Sequence, residues 1–447
     1  MIVINPREVC TSVLEDIFVN GSYSNIALKK ALKQNGAMPL RDRAFVTENV
    51  NGTLRNIIYI DYVINNFSNT KTVKMKPYIA AVLRSSVYQI IFMDVPQSAA
   101  INEGVKLIKC RGLGGLAGFS NAVLRKIAEN YNNIDLPKDR AEYISVKYSH
   151  PLWLVKMWLS YYGEDFTKEL CKSNCSKPPV TICLNTLKTD MKGLCESLSK
   201  DGVEHETGRY LKNSITISKI RDIASLEAFK KGYFHVQDES SSLAVNVLSP
   251  KEGEKILDVC ASPGGKSVFI AEMMNNKGIV VSRDIFDHRL ELINDSASRL
   301  GINIIQTQNR DAAVFNPEDV EKYDRVIVDA PCSGFGLMRK KADIRLKKDG
   351  NDIDSLIKLQ RDILSTVWKY VKKGGVLVYS TCTVSKKENQ NNVKWFLENF
   401  PFEAENIQNY LPDNIKAPDG ESGFIQLFTN IHGTDGFFIA RLKRKEQ

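Results

Sequence analysis

Two cysteines each stand just past an apolar run of strand type, in Asp329-Ala330-Pro331-Cys332 and in Ser380-Thr381-Cys382. A third segment, Leu257-Asp258-Val259-Cys260-Ala261-Ser262-Pro263-Gly264-Gly265-Lys266, reads as a strand, a Gly-rich loop and the start of a helix. Such a loop lets backbone approach a ligand closely and leaves helix N–H groups free to bind it. It is neither G-x-G-x-x-G nor a Walker loop. Asp284, 19 residues beyond Gly265, suits a pair of ribose hydroxyls. Asp311 suits an adenine amino group. A helix N-cap or solvated turn is the competing reading for both aspartates.

These residues imply a nucleotide-type cofactor pocket with two thiols at its mouth. The chemistry that needs both is methylation at carbon 5 of a pyrimidine. That carbon is a poor nucleophile until a thiolate adds to carbon 6 and makes it enamine-like. Asp329, at the same strand end, is placed to hydrogen-bond the base edge and stabilise the added intermediate. An ordinary thiol is only a few per cent thiolate at pH 7, so a cation or helix terminus is expected nearby. Spacing alone does not say which thiol attacks.

The positioning elements follow from the pattern. Apolar stretches at 255–260, 279–284, 302–307, 324–329 and 375–380 alternate with helical stretches. This predicts a doubly wound parallel sheet over residues 236–447. Its last segments, 423–428 and 436–442, read as an antiparallel closing pair. Ligands of such sheets bind outside the carboxyl ends of the strands, so both thiols should face one crevice. Residues 1–130 read as all helix, with Val9, Val13 and Ile17 recurring at a spacing of four and one long periodic segment running through Leu54 to Ile64. Residues 131–150 read as a polar linker, the opening of a 131–235 region that also holds a small α/β module with strands near Val180 to Leu184 and Ser214 to Ile217 and a helix Met191 to Lys200.

The chain has 447 residues and a formal net charge of +9, compatible with a polyanionic partner. Residues 1–135 hold 16 lysines and arginines against 10 aspartates and glutamates. A second basic cluster, Arg339, Lys340, Lys341, Arg345, Lys347 and Lys348, suits phosphate contacts, with a solvated helix face as the alternative. Arg441 to Lys445 reads as a frayed solvated end. Cys171, Cys175, Cys183 and Cys195 form no C-x-x-C knuckle and the five histidines no ligand pair, so no metal is expected. No run of about 18 apolar residues suggests a membrane span. Met1 to Cys10 lacks the pattern of an export signal, which with nine cysteines predicts a reducing cytoplasm and free thiols.

At the strand-end motifs, together with Asp435-Gly436-Phe437-Phe438 and Gln237-Asp238-Glu239-Ser240-Ser241, the sequence resembles the RsmB/NOL/NOP (Sun) family of RNA 5-methylcytosine methyltransferases. The N-terminal block resembles the NusB-like RNA-binding domain through Arg41-Asp42-Arg43-Ala44-Phe45, Asn51-Gly52-Thr53-Leu54-Arg55, Tyr88-Gln89 and Asn121-Ala122-Val123-Leu124-Arg125. The combination is that of the bacterial type acting on 16S ribosomal RNA. The resemblance implies three parts: an all-α NusB-like domain, an RRM-like α/β middle module and a Rossmann-like class I methyltransferase domain. It implies S-adenosylmethionine as cofactor, held by Cys260, Ala261, Ser262, Pro263, Gly264, Gly265 and Lys266 with Asp284, Asp311 and Asp329. It places the nucleophile on Cys382 and gives Cys332 a part in product release; DNA cytosine methyltransferases instead attack with the Pro-Cys thiol. It implies an RNA partner; with no metal and no membrane span expected from the sequence, a monomer is expected. The chain departs from the family at Ser262, Thr383 and Ala342, where alanine, serine and proline are usual, and Ile182-Cys183-Leu184-Asn185 lacks the arginine common before this Asn; Ala342 is expected to loosen the basic loop. The rival readings are tRNA or 23S rRNA as substrate, a non-catalytic RNA-binding or antitermination factor, and a nicotinamide oxidoreductase. The last two leave the two thiols without purpose.

Overall fold

Local sequence starts the helices. Asn5 accepts a hydrogen bond from the Arg7 N–H and Pro6 takes the first helical turn of α1, Pro6–Asn20, which ends at Gly21 with φ +65°. Val13 and Ile17 are buried along it with Cys10 and Leu14, as the spacing of four predicts. The computed structural model describes residues 4–220, 222–347, 350–418 and 422–446. These form two compact units; the first runs to Lys177 and also takes in the segment that starts at Met338.

The first unit is helical. After α1 come α2 (Ser24–Gln34), α3 (Leu40–Arg55), α4 (Ile57–Phe67), α5 (Pro77–Phe92), α6 (Gln97–Cys110) and α7 (Ala117–Asn130). The long periodic segment breaks at Asn56, which separates α3 from α4. α5 is buried around most of its circumference and forms the centre of the bundle. The expected linker is largely structured: α8 (Arg140–Lys147) lies within it, capped by Asp139, and His150 is fully buried. Two more helices follow, α9 (Leu152–Tyr162) and α10 (Glu164–Asn174).

The basic segment 338–347 belongs to this unit, which corrects its reading as a loop free to meet phosphates. Arg339 and Arg345 are buried, and Arg345 donates to the carbonyls of Met338 and Asn174, both at 2.9 Å. Asp343 accepts from Ser24 Oγ at 2.7 Å, and Lys347 donates to the Gly21 carbonyl at 2.6 Å. Ala342 packs in a core with Leu14, Val46 and Leu54, so it anchors the segment rather than loosening it. Lys340 and Lys341 are exposed; Lys348 lies outside the described residues.

The second unit carries two sheets. β1 (Val180–Leu184), α11 (Met191–Lys200), β2 (Glu204–Thr207), β3 (Ser214–Ser218), α12 (Glu227–Lys230) and β4 (Phe234–Val236) make a ferredoxin-like module with strand order β2-β3-β1-β4. The larger sheet is introduced by α13 (Glu239–Leu248). It contains β5 (Lys255–Asp258), β6 (Ile279–Asp284), β7 (Ile305–Asn309), β8 (Tyr323–Asp329), β9 (Val371–Thr381), β10 (Phe402–Ala404), β11 (Phe424–Leu427) and β12 (Phe437–Arg444). Its order is β10-β12-β9-β8-β5-β6-β7, with β11 on β12. β5 to β9 are parallel and β12 runs antiparallel to β9. Apolar residues of β5, β6, β8 and β9 are buried on both faces, so these strands read as runs rather than alternations. The predicted frayed end is in fact β12. Arg441 donates to the Val247 carbonyl at 2.5 Å and pairs with Glu405 at 2.7 Å, and Arg444 reaches the Val371 carbonyl.

Candidate active site

The chain order turns back at β5, with β6 on one side and β8 on the other, so the crevice opens at the carboxyl ends of these strands. Asp258 closes β5, Asp284 closes β6 and Asp329 closes β8. Ser262-Pro263 is a cis peptide. Gly264, at φ +101°, turns the chain into α14 (Gly265–Met273). A Cβ on Gly264 would come within 3.1 Å of Ile293, on α15 (Asp287–Leu300), a tight contact added to a backbone conformation that favours glycine. Among the described residues, no side chain caps the start of α14, so its first N–H groups are left for a ligand.

Carboxylates surround this loop. Burial, then Asp258, Asp329, Asp284 and Asp311 in turn, push the Cys260 thiol well above its ordinary range. All four acids are thus close enough to act on one sulfur. Asp284 is nearly buried, and its Oδ1 accepts the Phe286 N–H at 3.2 Å. Asp311 is exposed and caps the Ala313 N–H at 2.9 Å. Both acids hold local turns, the competing sequence reading, and both also border the crevice. Sequence reasoning overlooked Asp258. Its Oδ2 accepts from Ser267 Oγ at 2.8 Å, and Ser282 Oγ in turn donates to Ser267. Burial raises the Asp258 carboxyl to about 6.

The thiols meet. Cys332 Sγ lies 3.2 Å from Cys382 Sγ. The hydrogen bond with Cys382 and then burial drive the Cys332 thiol well above its usual range, so it keeps its proton. Asp329 pairs in register with Ser380; its Oδ1 accepts from Ser380 Oγ at 3.0 Å and its Oδ2 takes the Lys266 ammonium at 2.6 Å. Burial alone would lower the Lys266 pKa, but Asp329 and Asp258 more than offset this and raise it. Lys266 also interacts electrostatically with Cys382, so the cation expected beside a reactive thiol is present.

Behind the thiols lies a polar network with no sequence signature. Glu388 is fully buried and accepts from Ser333 N at 2.9 Å, Ser333 Oγ at 2.6 Å and Gln360 Nε2 at 3.2 Å. Ser333 Oγ also lies 2.7 Å from Thr383 Oγ1, so the loops that carry Cys332 and Cys382 are joined one residue past each thiol. Gly336 N–H donates to the Cys382 carbonyl and Gly436 N–H to the Gly336 carbonyl, both at 3.0 Å. A Cβ on Gly336 would meet the Gly436 carbonyl oxygen at 1.8 Å, so these backbones touch only as glycines.

A parallel sheet closed by an antiparallel strand, with an acid-rimmed Gly loop and two strand-end thiols, defines an α/β methyltransferase, here in one chain with a NusB-like helical domain. Comparison agrees at each part. Residues 245–443 match the family model described as 16S rRNA methyltransferase RsmB/F, residues 4–129 that of the NusB family, and residues 150–224 the RsmF/B-like ferredoxin-like domain. The probable ribosomal RNA small subunit methyltransferase B of Bacillus subtilis is 38% identical over 98% of both chains. The ribosomal RNA small subunit methyltransferase B of Vibrio vulnificus is 30% identical over 99% of this chain and all of that one. One crystal structure superposes with a TM-score of 0.83 at 28% identity, covering 99% of this chain and 100% of the other. A methyltransferase homolog from Pyrococcus horikoshii matches 69% of this chain and 100% of its own, at 26% identity and a TM-score of 0.60. The chain belongs to the ribosomal RNA small subunit methyltransferase B family. Among the described residues, no helix is long and apolar enough to cross a membrane.

Proposed function

We propose that this protein methylates carbon 5 of a cytosine in 16S ribosomal RNA, through a covalent adduct between a cysteine and carbon 6. The observation that carries the reading is the thiol pair, 3.2 Å apart, beside the Lys266–Asp329 ion pair.

The crevice suits S-adenosylmethionine. Its ring of carboxylates favours a ligand bearing cationic sulfur and nitrogen, and the uncapped start of α14 favours that ligand's carboxylate. Residues Cys260 to Lys266, with Asp284, Asp311 and Asp329, would hold it, Asp284 taking the ribose hydroxyls through Oδ2, which has no hydrogen bond among the described residues. Bound there, it supplies an electrophilic methyl group.

Cys382 is the attacking residue in this reading. It stands beside the Lys266 cation, and its neighbour Cys332 retains a proton. Addition of the Cys382 thiolate to carbon 6 breaks the ring's conjugation and loads electron density onto carbon 5. Asp329, paired with the Lys266 ammonium and oriented by Ser380, faces the edge of the base. Carbon 5 then takes the methyl group, and loss of its proton to a base expels the thiolate, with Cys332 at hand to assist release. The basic helical domain supplies the RNA-binding surface.

Mapping 5-methylcytosine in 16S ribosomal RNA from cells with and without the active protein tests the substrate; a single cytosine should lose its mark. Calorimetry tests the cofactor. The protein should bind S-adenosylmethionine and not NAD, and Asp284→Ala should weaken binding by about 1–3 kcal/mol. Unchanged affinity in that variant would remove Asp284 from the pocket.

A further inference from the structure

Three side chains from three elements converge inside the second unit. Cys183 of β1 and His235 of β4 are register partners, so they project from the same face of the small sheet. Glu272 reaches them from α14, and the Cys, His and Glu ligand atoms all lie within 4.8 Å of one another. All three residues are buried. Sequence spacing hid the group because the ligands are far apart along the chain.

One guanidinium, Arg299, acts on Glu272 through space, and among the described residues no cation hydrogen-bonds it. Among the described residues, both oxygens of Glu272 lack a hydrogen-bond partner, as does His235 Nδ1. A carboxylate buried in that state is costly unless a proton or a cation meets it. His235 Nδ1 lies 3.4 Å from Glu272 Oε1 but is not aligned to donate. His235 Nε2 is 2.5 Å from Gln237 Oε1, an acceptor, which favours the tautomer with the proton on Nε2 and the lone pair on Nδ1. That tautomer, fixed by an outer acceptor, is the one a metal-ligating histidine adopts. Arg299, the nearby guanidinium, spends Nη1 on the carbonyls of Phe229 and Phe234.

We infer that Cys183, His235 and Glu272 form a binding site for a divalent cation of zinc type. One sulfur, one imidazole nitrogen and one carboxylate suit zinc's borderline softness. Metal–ligand bonds of about 2.0–2.3 Å need only small side-chain rotations from the observed spacing. On binding, the Cys183 thiol proton leaves to solvent, and thiolate plus carboxylate then match the two charges of the cation. Asn213 Nδ2 donates to Cys183 Sγ at 3.3 Å, an outer contact that steadies the sulfur. A surface groove lined by Asn213, Phe269, Glu272 and Met273 gives the cation, and a water as fourth ligand, a way in. The bound ion joins the ferredoxin-like module to the helix that follows the Gly loop.

The full chain, purified from zinc-supplemented culture, should carry about one zinc per molecule by mass spectrometry. Cys183→Ser and His235→Ala should each lower the content at least about tenfold, and Gln237→Ala should weaken zinc affinity about 10–100-fold. Cys382→Ala should keep the metal. If the ligand variants do not fold, the native chain decides: chelator should lower its melting temperature, added zinc should restore it, and cobalt(II) should give a thiolate-to-metal absorption band. A folded native chain that holds no zinc and takes up neither zinc nor cobalt(II) would overturn the proposal, leaving a plain His–Glu contact. Full zinc content in Cys183→Ser and His235→Ala would overturn it too.

Discussion

Asp258 shows what a single residue gives up to build the crevice. Among the described residues its Oδ1 has no hydrogen-bond partner, and burial raises its carboxyl from 3.8 to about 6. Between these values the folded chain holds a proton that the unfolded chain releases, so stability falls as pH rises through that window and levels off above it. Urea unfolding should therefore show Asp258→Asn gaining on the native protein from pH 3.8 to about 6, then holding a constant lead. A lead that does not change with pH would mean that Asp258 is solvated in the folded state. The strand-end residues Cys332, Cys382, Asp329 and Asp284 were legible in the sequence because each closes an apolar run. Glu388 and Asp258 were not. Glu388 follows no strand and gains its role only when Ser333 and Gln360 fold over it, and Asp258 is passed over because the apolar run reads on through it to Cys260.

At the scale of elements, the geometry of the thiols is set by backbone. The loop after β8 is stitched to β9 by Gly336 N–H to the Cys382 carbonyl, and to the loop before β12 by the Gly336–Gly436 contact. Gly336→Ala must push these backbones apart and move Cys332 off Cys382. A displacement of about 1 Å costs about 100-fold in rate, so single-turnover methylation should fall by that order while donor binding is kept. An unchanged rate would show that the loop's place does not matter to the reaction. The helix Met191–Lys200 was legible because Asp190 caps it and its periodicity is clean. β12 was misread from Arg441 onward because Arg441 and Arg444 look solvated by type, yet their charges are spent on Glu405, Glu321 and carbonyls. The same error hid the packing of Arg339 and Arg345. Residue type reports solvation only when no tertiary partner waits.

At the scale of the whole molecule, a basic helical domain shares one chain with a thiol-bearing methyltransferase. Deleting residues 1–130 would test the helical domain's role poorly, since it strips Asp343 of Ser24 and Ala342 of its core. The exposed Lys29, Lys30 and Lys33 of α2 offer a cleaner test. Changing them to glutamine should weaken RNA binding and flatten its salt dependence by about one unit of log-log slope for each phosphate no longer neutralised, with donor affinity unchanged. An unaltered slope would place the RNA surface elsewhere. The central claim is the covalent route, and a denaturing gel of each thiol variant with substrate RNA and S-adenosylmethionine tests it most directly. Cys382→Ala should give no methylation and no shifted band, because carbon 5 is never activated. Cys332→Ala should attack, transfer the methyl group and stall, trapping protein on RNA as a shifted band. A shifted band from Cys382→Ala with none from Cys332→Ala would contradict the account and reverse the two roles.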